Sequence, residues 1–386
     1  MRPVVVIYAL DQDSRLTSSP GIFNTLRNMI LAMSMMPDPG FDIVVLVSDA
    51  NAGSLIPLSL PAWMRPRIVA GNYSTGWRRL WADHVLSVLL ATKERAFVVY
   101  FPKGFLPIYC PCRFRSVVLI NDAIVDYYAE NFPGFISPLK VRYFKWATRL
   151  SLRHAARVLT ISWFSRKELS KLVPKSTRNI EVIPLGPGLP VDVDKGLQPI
   201  TKNSILVLGS RFPHKFTVGT LQLLAKYAES RSVQIDVIVT GLHDAPSCFT
   251  NNTRLLSVKY VGRVSDAKMS QLLRESKALV LLSTVEGFGL PLLESYAHGT
   301  PVCFRSDSSL FEIMNGEFGG WDGESSDSFC SALDVTLAAT PQMIKGAWMR
   351  LNEKYSWEHA ATHVFKIFAD ELGMSMEIPV SRVNGE

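Results

Sequence analysis

The 386 residues include 47% hydrophobic and 19% charged side chains, with a formal net charge of +7 at neutral pH. Such a chain is long enough for two or three domains with substantial cores and too apolar to be disordered. Mild basicity points to an acidic partner without naming it, leaving nucleic acid, an anionic membrane and phosphorylated small molecules open. Five cysteines, an odd number in a long chain, argue against a disulfide framework. Cys110-Pro-Cys112 has no second pair or histidine cluster to complete a zinc site, and all five cysteines read as reduced thiols, in keeping with a cytoplasmic chain. No apolar stretch reaches the length needed to span a bilayer, so membrane contact is expected to be peripheral.

In chain order, Val4 to Leu10 reads as a buried strand rather than a signal peptide, because Asp11 and Asp13 soon interrupt its apolar run. Pro20-Gly21-Ile22-Phe23 then leads into an apolar helix through Met36. Gly21 follows a first strand and its loop, where ligands of a doubly wound sheet gather, and is a candidate phosphate contact. Phe41 to Val47 continues the strand series, and Trp77-Arg-Arg-Leu-Trp81 opens a helix running to about Thr92. The strands Ala96 to Tyr100 and Val117 to Ile120 follow, the latter ending at Asn121-Asp122, where polar side chains meet a loop. From Pro138 to Val158 a helical segment carries Lys140, Arg142, Lys145, Arg149, Arg153 and Arg157 with Tyr143, Phe144 and Trp146 and no acidic residue. It suits either an anionic leaflet or a solvated face over aromatic packing. No recognised nucleic-acid module accompanies the charge, so nucleic acid is not expected as a partner.

Arg157 to Ser162 is a strand before a Ser-capped helix, and Pro184-Leu-Gly-Pro-Gly-Leu-Pro190 breaks regular structure as a linker. The pattern then restarts: Ser204 to Leu208 is a strand, Gly209 to Lys215 a turn, and Thr217 to Ser230 a helix. Arg211 and Lys215 stand at that strand's carboxyl end, where two fixed cations can neutralise a diphosphate. His214 reads as a turn residue rather than a catalyst. Val233 to Thr240 and Val258 to Val261 are further strands, the second leading to Gly262-Arg263-Val264.

The most informative stretch runs from Ala278 to Phe304, an apolar strand, a Gly-rich turn, a helix with Pro291 in its first turn, a Gly-Thr-Pro stop and another strand. Gly287 and Gly289 let the backbone approach a bound group closely, and unpaired amides at the helix start favour an anion. Glu286 and Glu294 flank this turn. Carboxylates repel phosphate but accept hydrogen bonds from hydroxyls, so a sugar, a diphosphate and a ribose in series fit the turn. A nicotinamide-binding turn would need its third glycine where Leu292 stands.

Glu286 and Glu294, with seven residues between them around Gly287-Phe288-Gly289-Leu290-Pro291, resemble the paired-glutamate motif of retaining GT-B glycosyltransferases of the family 4 type, among bacterial mannosyl- and glucosyltransferases. The resemblance is nearly continuous over the second half and fragmentary over the first. It implies an α/β fold of GT-B type, two doubly wound Rossmann-like domains facing across a cleft. The expected boundaries are an N-terminal acceptor domain at 1–188, a linker at 189–200, a donor domain at 201–360 and a C-terminal helix at 361–386 crossing back to the first domain. It further implies Glu286, Arg211, Lys215 and Asp122 as catalytic residues. Donor binding falls to Gly21, Gly262, Arg263, Val264, Gly287, Phe288, Gly289, Leu290 and Glu294, and acceptor binding to Asn121 and Asp122. Many relatives carry histidine where Asn121 stands, and asparagine does not shuttle protons, so a histidine-dependent role does not transfer.

The expected reaction is transfer with retention of a sugar, mannose from GDP-mannose favoured over UDP-sugars, to a saccharide or polyprenyl-diphosphate-linked acceptor in surface polysaccharide assembly. The nucleotide sugar is a co-substrate; no cofactor and no metal are expected, with the two cations and a helix N-terminus in the place of a magnesium ion. The expected location is cytoplasmic, with a peripheral position at the inner face of the membrane. A nucleotide-sugar epimerase and a non-catalytic sugar-binding protein are the alternatives on the same scaffold.

Overall fold

The computed structural model describes residues 2–13, 20–109, 113–173, 180–188, 204–251 and 253–376. Cys110, Cys112 and the connector expected over 189–200 lie outside the described residues. The chain divides into one unit of Met1–Gly186 with Ser356–Glu386 and a second of Pro187–Tyr355.

Seven described strands of the first unit, β1 (Val4–Tyr8), β2 (Asp42–Ser48), β3 (Met64–Val69), β4 (Val98–Phe101), β5 (Arg115–Leu119), β6 (Arg157–Thr160) and β7 (Ile180–Val182), form a parallel sheet in the order β3-β2-β1-β4-β5-β6-β7. Six in the second unit, β8 (Ser204–Leu208), β9 (Ile235–Thr240), β10 (Leu256–Gly262), β11 (Ser276–Leu281), β12 (Val302–Arg305) and β13 (Gly320–Trp321), form another in the order β10-β9-β8-β11-β12-β13. Strands such as Val98–Phe101 are buried at every position. Such unbroken apolar runs, without alternation, are what a parallel sheet covered on both faces requires. Strand order reverses between β1 and β4 in one sheet and between β8 and β11 in the other. At such a switch point adjacent loops leave in opposite directions and open a crevice beyond the strands' carboxyl ends.

Three local readings shift. Gly21 lies within the first turn of the helix Pro20–Ser34 rather than in a turn before it. The basic helix ends at His154; Arg157 begins β6 and pairs with Glu371 at 2.7 Å and Glu181 at 3.1 Å. The helix foreseen from Trp77 to Thr92 spans Gly76–Lys93, with a π-helical turn at Ala82–Leu86 inside it.

The last helix, Trp357–Glu371, belongs to the first unit and packs on Pro20–Ser34. Phe365 meets Phe41 and Trp63 edge-on at 5.6 and 5.8 Å, Phe368 meets Tyr100 at 5.6 Å, and Glu371 holds Arg115 at 2.6 Å. Aromatic burial of this kind outweighs the loose sequence tie between the segments. No helix among the described residues is long and apolar enough to cross a membrane.

Candidate functional site

In the second unit, the loops leaving β8 and β11 meet at the switch point. After β8 the chain runs through Gly209 to Phe212 into a 3-10 turn, Pro213–Lys215, and then the helix Thr217–Arg231. Thr217 closes this loop on itself: the Ser210 amide donates to Thr217 Oγ1 at 3.0 Å, and that hydroxyl donates to the Ser210 carbonyl at 3.1 Å. Phe216 takes the left-handed conformation, φ 52°, unusual for a residue with a side chain. From the other loop, the Thr284 amide donates to the His214 carbonyl at 2.8 Å.

This stitching brings together two of the expected residues. Lys215 Nζ donates to Glu286 Oε1 at 2.6 Å, with the lysine side chain 30% and the glutamate side chain 13% exposed. Burial works against ionisation of Glu286, but the charge and hydrogen bond of Lys215 outweigh it and hold the carboxyl below its ordinary range. His214 is buried, and burial, with the Lys215 charge adding and Glu286 opposing, pushes its imidazole down to about 4. It is neutral at physiological pH and serves through its backbone carbonyl. Arg211 is exposed on the same turn and makes no ion pair or hydrogen bond with a described residue.

Gly289 stands immediately before the helix Leu290–Ala297 with φ +108°, and an added Cβ would lie 2.6 Å from Leu310 Cδ2. Only glycine fits such a cap, and the helix start is left open to an approaching group. Phe288 is 3% exposed and packs edge-on against Tyr355 at 5.6 Å, so its ring anchors the loop and only its backbone remains for a ligand. Gly287 and Leu290 are half-buried on either side.

Glu294, inside that helix, is half-buried. Burial raises its carboxyl to about 7, the Asp266 charge adding and a hydrogen bond from the Gly188 amide opposing. A carboxyl whose folded value is raised stabilises the fold while protonated, at acid pH, and loses that contribution as pH climbs through 7. Glu294→Gln stays neutral throughout. Its stability advantage over the native chain should widen between pH 5 and 8 to at most about 3 kcal/mol in denaturant unfolding; parallel stability curves would contradict the assignment.

Gly262, at the end of β10, also has positive φ, +66°, and an added Cβ would strike the His243 ring. Its amide donates to the Leu242 carbonyl at 2.9 Å, while its carbonyl accepts from Gly241 at 2.7 Å. Arg263 beyond it is exposed and Val264 half-buried. Asp266, whose charge adds to the rise of the Glu294 carboxyl, opens the next helix shortly after Gly262.

In the first unit, Gly21 is exposed and an added Cβ would meet nothing within 4 Å, so no close approach forces glycine there. Asp122 Oδ1 accepts from the Ile124 amide at 3.1 Å, a local turn bond at the start of the helix Ile124–Asn131. Asn121 Oδ1 is buried without a hydrogen-bond partner among the described residues, and the Asn121 backbone carbonyl accepts weakly from Thr160 Oγ1 at 3.5 Å.

A buried polar cluster at the β1/β4 switch point was not anticipated. Tyr8 donates to Asp83 Oδ1 at 2.7 Å; Lys103 pairs closely with Asp83 and lies 3.8 Å from Asp11; Arg79 reaches Asp11 at 3.5 Å and Asp83 at 3.6 Å. Lys103 Nζ also sits over the Tyr8 and Phe105 rings, 4.5 and 4.7 Å from their centroids. Burial and the neighbouring carboxylates raise the Tyr8 hydroxyl well above its ordinary range. Asp11-Gln12-Asp13 has Asp-x-Asp spacing, but Asp11 is committed to these cations, and among the described residues no group of three or more His, Cys, Asp and Glu converges as a metal set. The signal available beforehand was the pair of aspartates ending an apolar strand.

The chain is similar in sequence and in fold to known proteins. A family model described as glycosyl transferases group 1 matches residues 192–327. O-antigen chain mannosyltransferase B of Escherichia coli is 24% identical over 277 residues, covering 67% of this chain and 72% of that protein. O-antigen chain mannosyltransferase RfbU of Salmonella typhimurium is 24% identical over 281 residues, covering 70% and 74%. Among solved structures, sucrose-phosphate synthase from Thermosynechococcus elongatus superposes with a TM-score of 0.66 at 14% identity, covering 97% of this chain and all of that one, a likeness of fold. The architecture of two parallel-sheet Rossmann-like units is that of GT-B proteins.

Proposed function

Because the chain carries a group 1 glycosyl transferase domain, we propose that it transfers a hexose, mannose from GDP-mannose by preference, to a saccharide or lipid-linked saccharide hydroxyl with retention of configuration. The observation that supports this reading is the Lys215–Glu286 pair beside the open helix start at Gly289, on the switch point of the second sheet. Such a transfer needs charge stabilised on the departing diphosphate more than it needs a side-chain base, since a departing phosphate oxygen can take the acceptor proton. Arg211, Lys215 and the amides from Gly287 to Leu290 fill the first role without a metal. Glu286 holds Lys215 in place; the ammonium is shared with the donor phosphate, and the carboxylate, kept ionised by that charge, accepts hydrogen bonds from sugar hydroxyls.

Glu294 is assigned to the ribose hydroxyls and the Gly262-Arg263-Val264 turn to the base. In the first unit, Gly21 is assigned to the donor phosphate and Asn121 and Asp122 to the acceptor, the unpartnered Asn121 oxygen being suited to a hydroxyl. Mannose and a polysaccharide acceptor are favoured because the two relatives above are O-antigen mannosyltransferases by name. A cytoplasmic enzyme resting on the inner face of the membrane suits such an acceptor. A thermal-shift panel of GDP, UDP, ADP and TDP tests the donor. GDP at about a hundredfold excess over its Kd should add about 2.7 kcal/mol of stability; selective stabilisation by UDP would overturn the GDP assignment, and no response to any nucleotide would overturn the reading.

A further inference from the structure

The helical segment Gly76–Lys93 presents an apolar ridge to solvent. Its inward side buries Ala82, Asp83, Leu86, Ser87, Leu90 and Ala91, as a helix on a sheet should. Its outward side, which ordinary amphipathic patterning would make polar, exposes Trp77, Leu80, Trp81, Val85 and Leu89, with Trp77 72% and Leu89 51% exposed. In a regular α-helix, residues spaced by four drift around the axis by about 40° per step. The wider π-turn at Ala82–Leu86 takes back part of that drift, so Trp77, Trp81, Val85 and Leu89 stay on one side while Asp83 reaches the buried cluster.

The ridge borders the basic helix Pro138–His154. His84, on the π-turn, hydrogen-bonds Tyr143 of that helix at 2.9 Å, and the Ile108 amide donates to His84 Nδ1 at 3.2 Å. Ile108 and Tyr109 are exposed beside it, and Leu139 and Trp146 are exposed on the basic helix. The cations there are unevenly available. Lys145 and Arg149 are turned to Asp126, at 3.4 and 3.9 Å, whereas Arg78, Lys140 and Arg142 are exposed and make no ion pair with a described residue.

We propose that this face is a docking surface for an anionic lipid bilayer, with the Trp77–Leu89 ridge as the element that enters the headgroup region and Arg78, Lys140 and Arg142 as its electrostatic contacts. Exposed tryptophans beside exposed cations match the interface between headgroups and acyl chains, where amphipathic rings and basic side chains are both stabilised. The proposal deepens the lipid-linked acceptor reading above, but it stands on the first unit alone.

Flotation with phosphatidylcholine vesicles, with and without phosphatidylglycerol, tests it. The full chain should bind the anionic vesicles and not the neutral ones. Trp77→Ala/Trp81→Ala should weaken that binding at least about tenfold, and reversal of Arg78, Lys140 and Arg142 to Glu should abolish it, with melting temperature and nucleotide-induced thermal shift unchanged in both variants. Equal binding to neutral vesicles, undiminished binding of the tryptophan variant, or a concentration-dependent dimer that dissociates on the tryptophan substitutions would each overturn it. Loss of the nucleotide response with vesicle binding intact would instead count against the transferase reading.

Discussion

Replacing Lys103 by methionine will destabilise the first unit by about 3–5 kcal/mol, because it strands two buried carboxylates without their cation. The lysine side chain is 2% exposed, against 1% for Asp83 and none for Asp11. Arg79 remains, but at 3.5 and 3.6 Å and from a more exposed position. The loss should shrink as pH falls, since burial raises the Asp11 carboxyl and its protonation removes part of the stranded charge. Adding Asp83→Asn should recover much of the stability, its amide oxygen still accepting from Tyr8. Urea unfolding at pH 5 and pH 8 reads both effects; a change below about 1 kcal/mol at pH 8 would mean the cluster is not held by this cation.

Lys215→Ala should lower turnover about 10²–10³-fold, the cost of losing one preorganised contact to developing charge, or about 2.7–4 kcal/mol. Its effect on stability should be smaller, because the ammonium is partly solvated. The carboxyl of Glu286, deprived of its partner, will rise toward the value that burial dictates, so residual activity should shift to higher pH. Lys215→Arg, which keeps the charge but not its reach, should restore part of the turnover. Undiminished turnover of Lys215→Ala, measured with saturating donor, would remove the lysine from the chemistry.

The stretch from Ala278 to Phe304 was legible in advance because each local signal agreed: an apolar run, two glycines, a proline in the first helical turn and a Gly-Thr-Pro stop. The strands β11 and β12 and the helix between them stand there, and Gly289 has the positive φ its position suggested. That Lys215 and Glu286 share one turn system followed from both lying beyond strand ends, although no local pattern said which strands are neighbours. Phe288 shows the limit of motif reading, since its ring serves packing in the middle of the proposed donor loop. The Tyr8, Asp83 and Lys103 cluster was illegible because its members come from three distant segments, united only when β1 pairs with β4 and the π-turn carrying Asp83 is seated against them. The outward ridge was hidden for a related reason: Trp77-Arg-Arg-Leu-Trp81 is a plausible buried face until the helix is seated on its sheet.

The most direct test is a calorimetric titration of GDP and of GMP into the native chain, Arg211→Ala and Lys215→Ala. The proposed pyrophosphate pocket predicts that the native chain binds GDP more tightly than GMP and that this advantage collapses in both variants while GMP affinity holds. A preference for the second phosphate that survives both substitutions would contradict it.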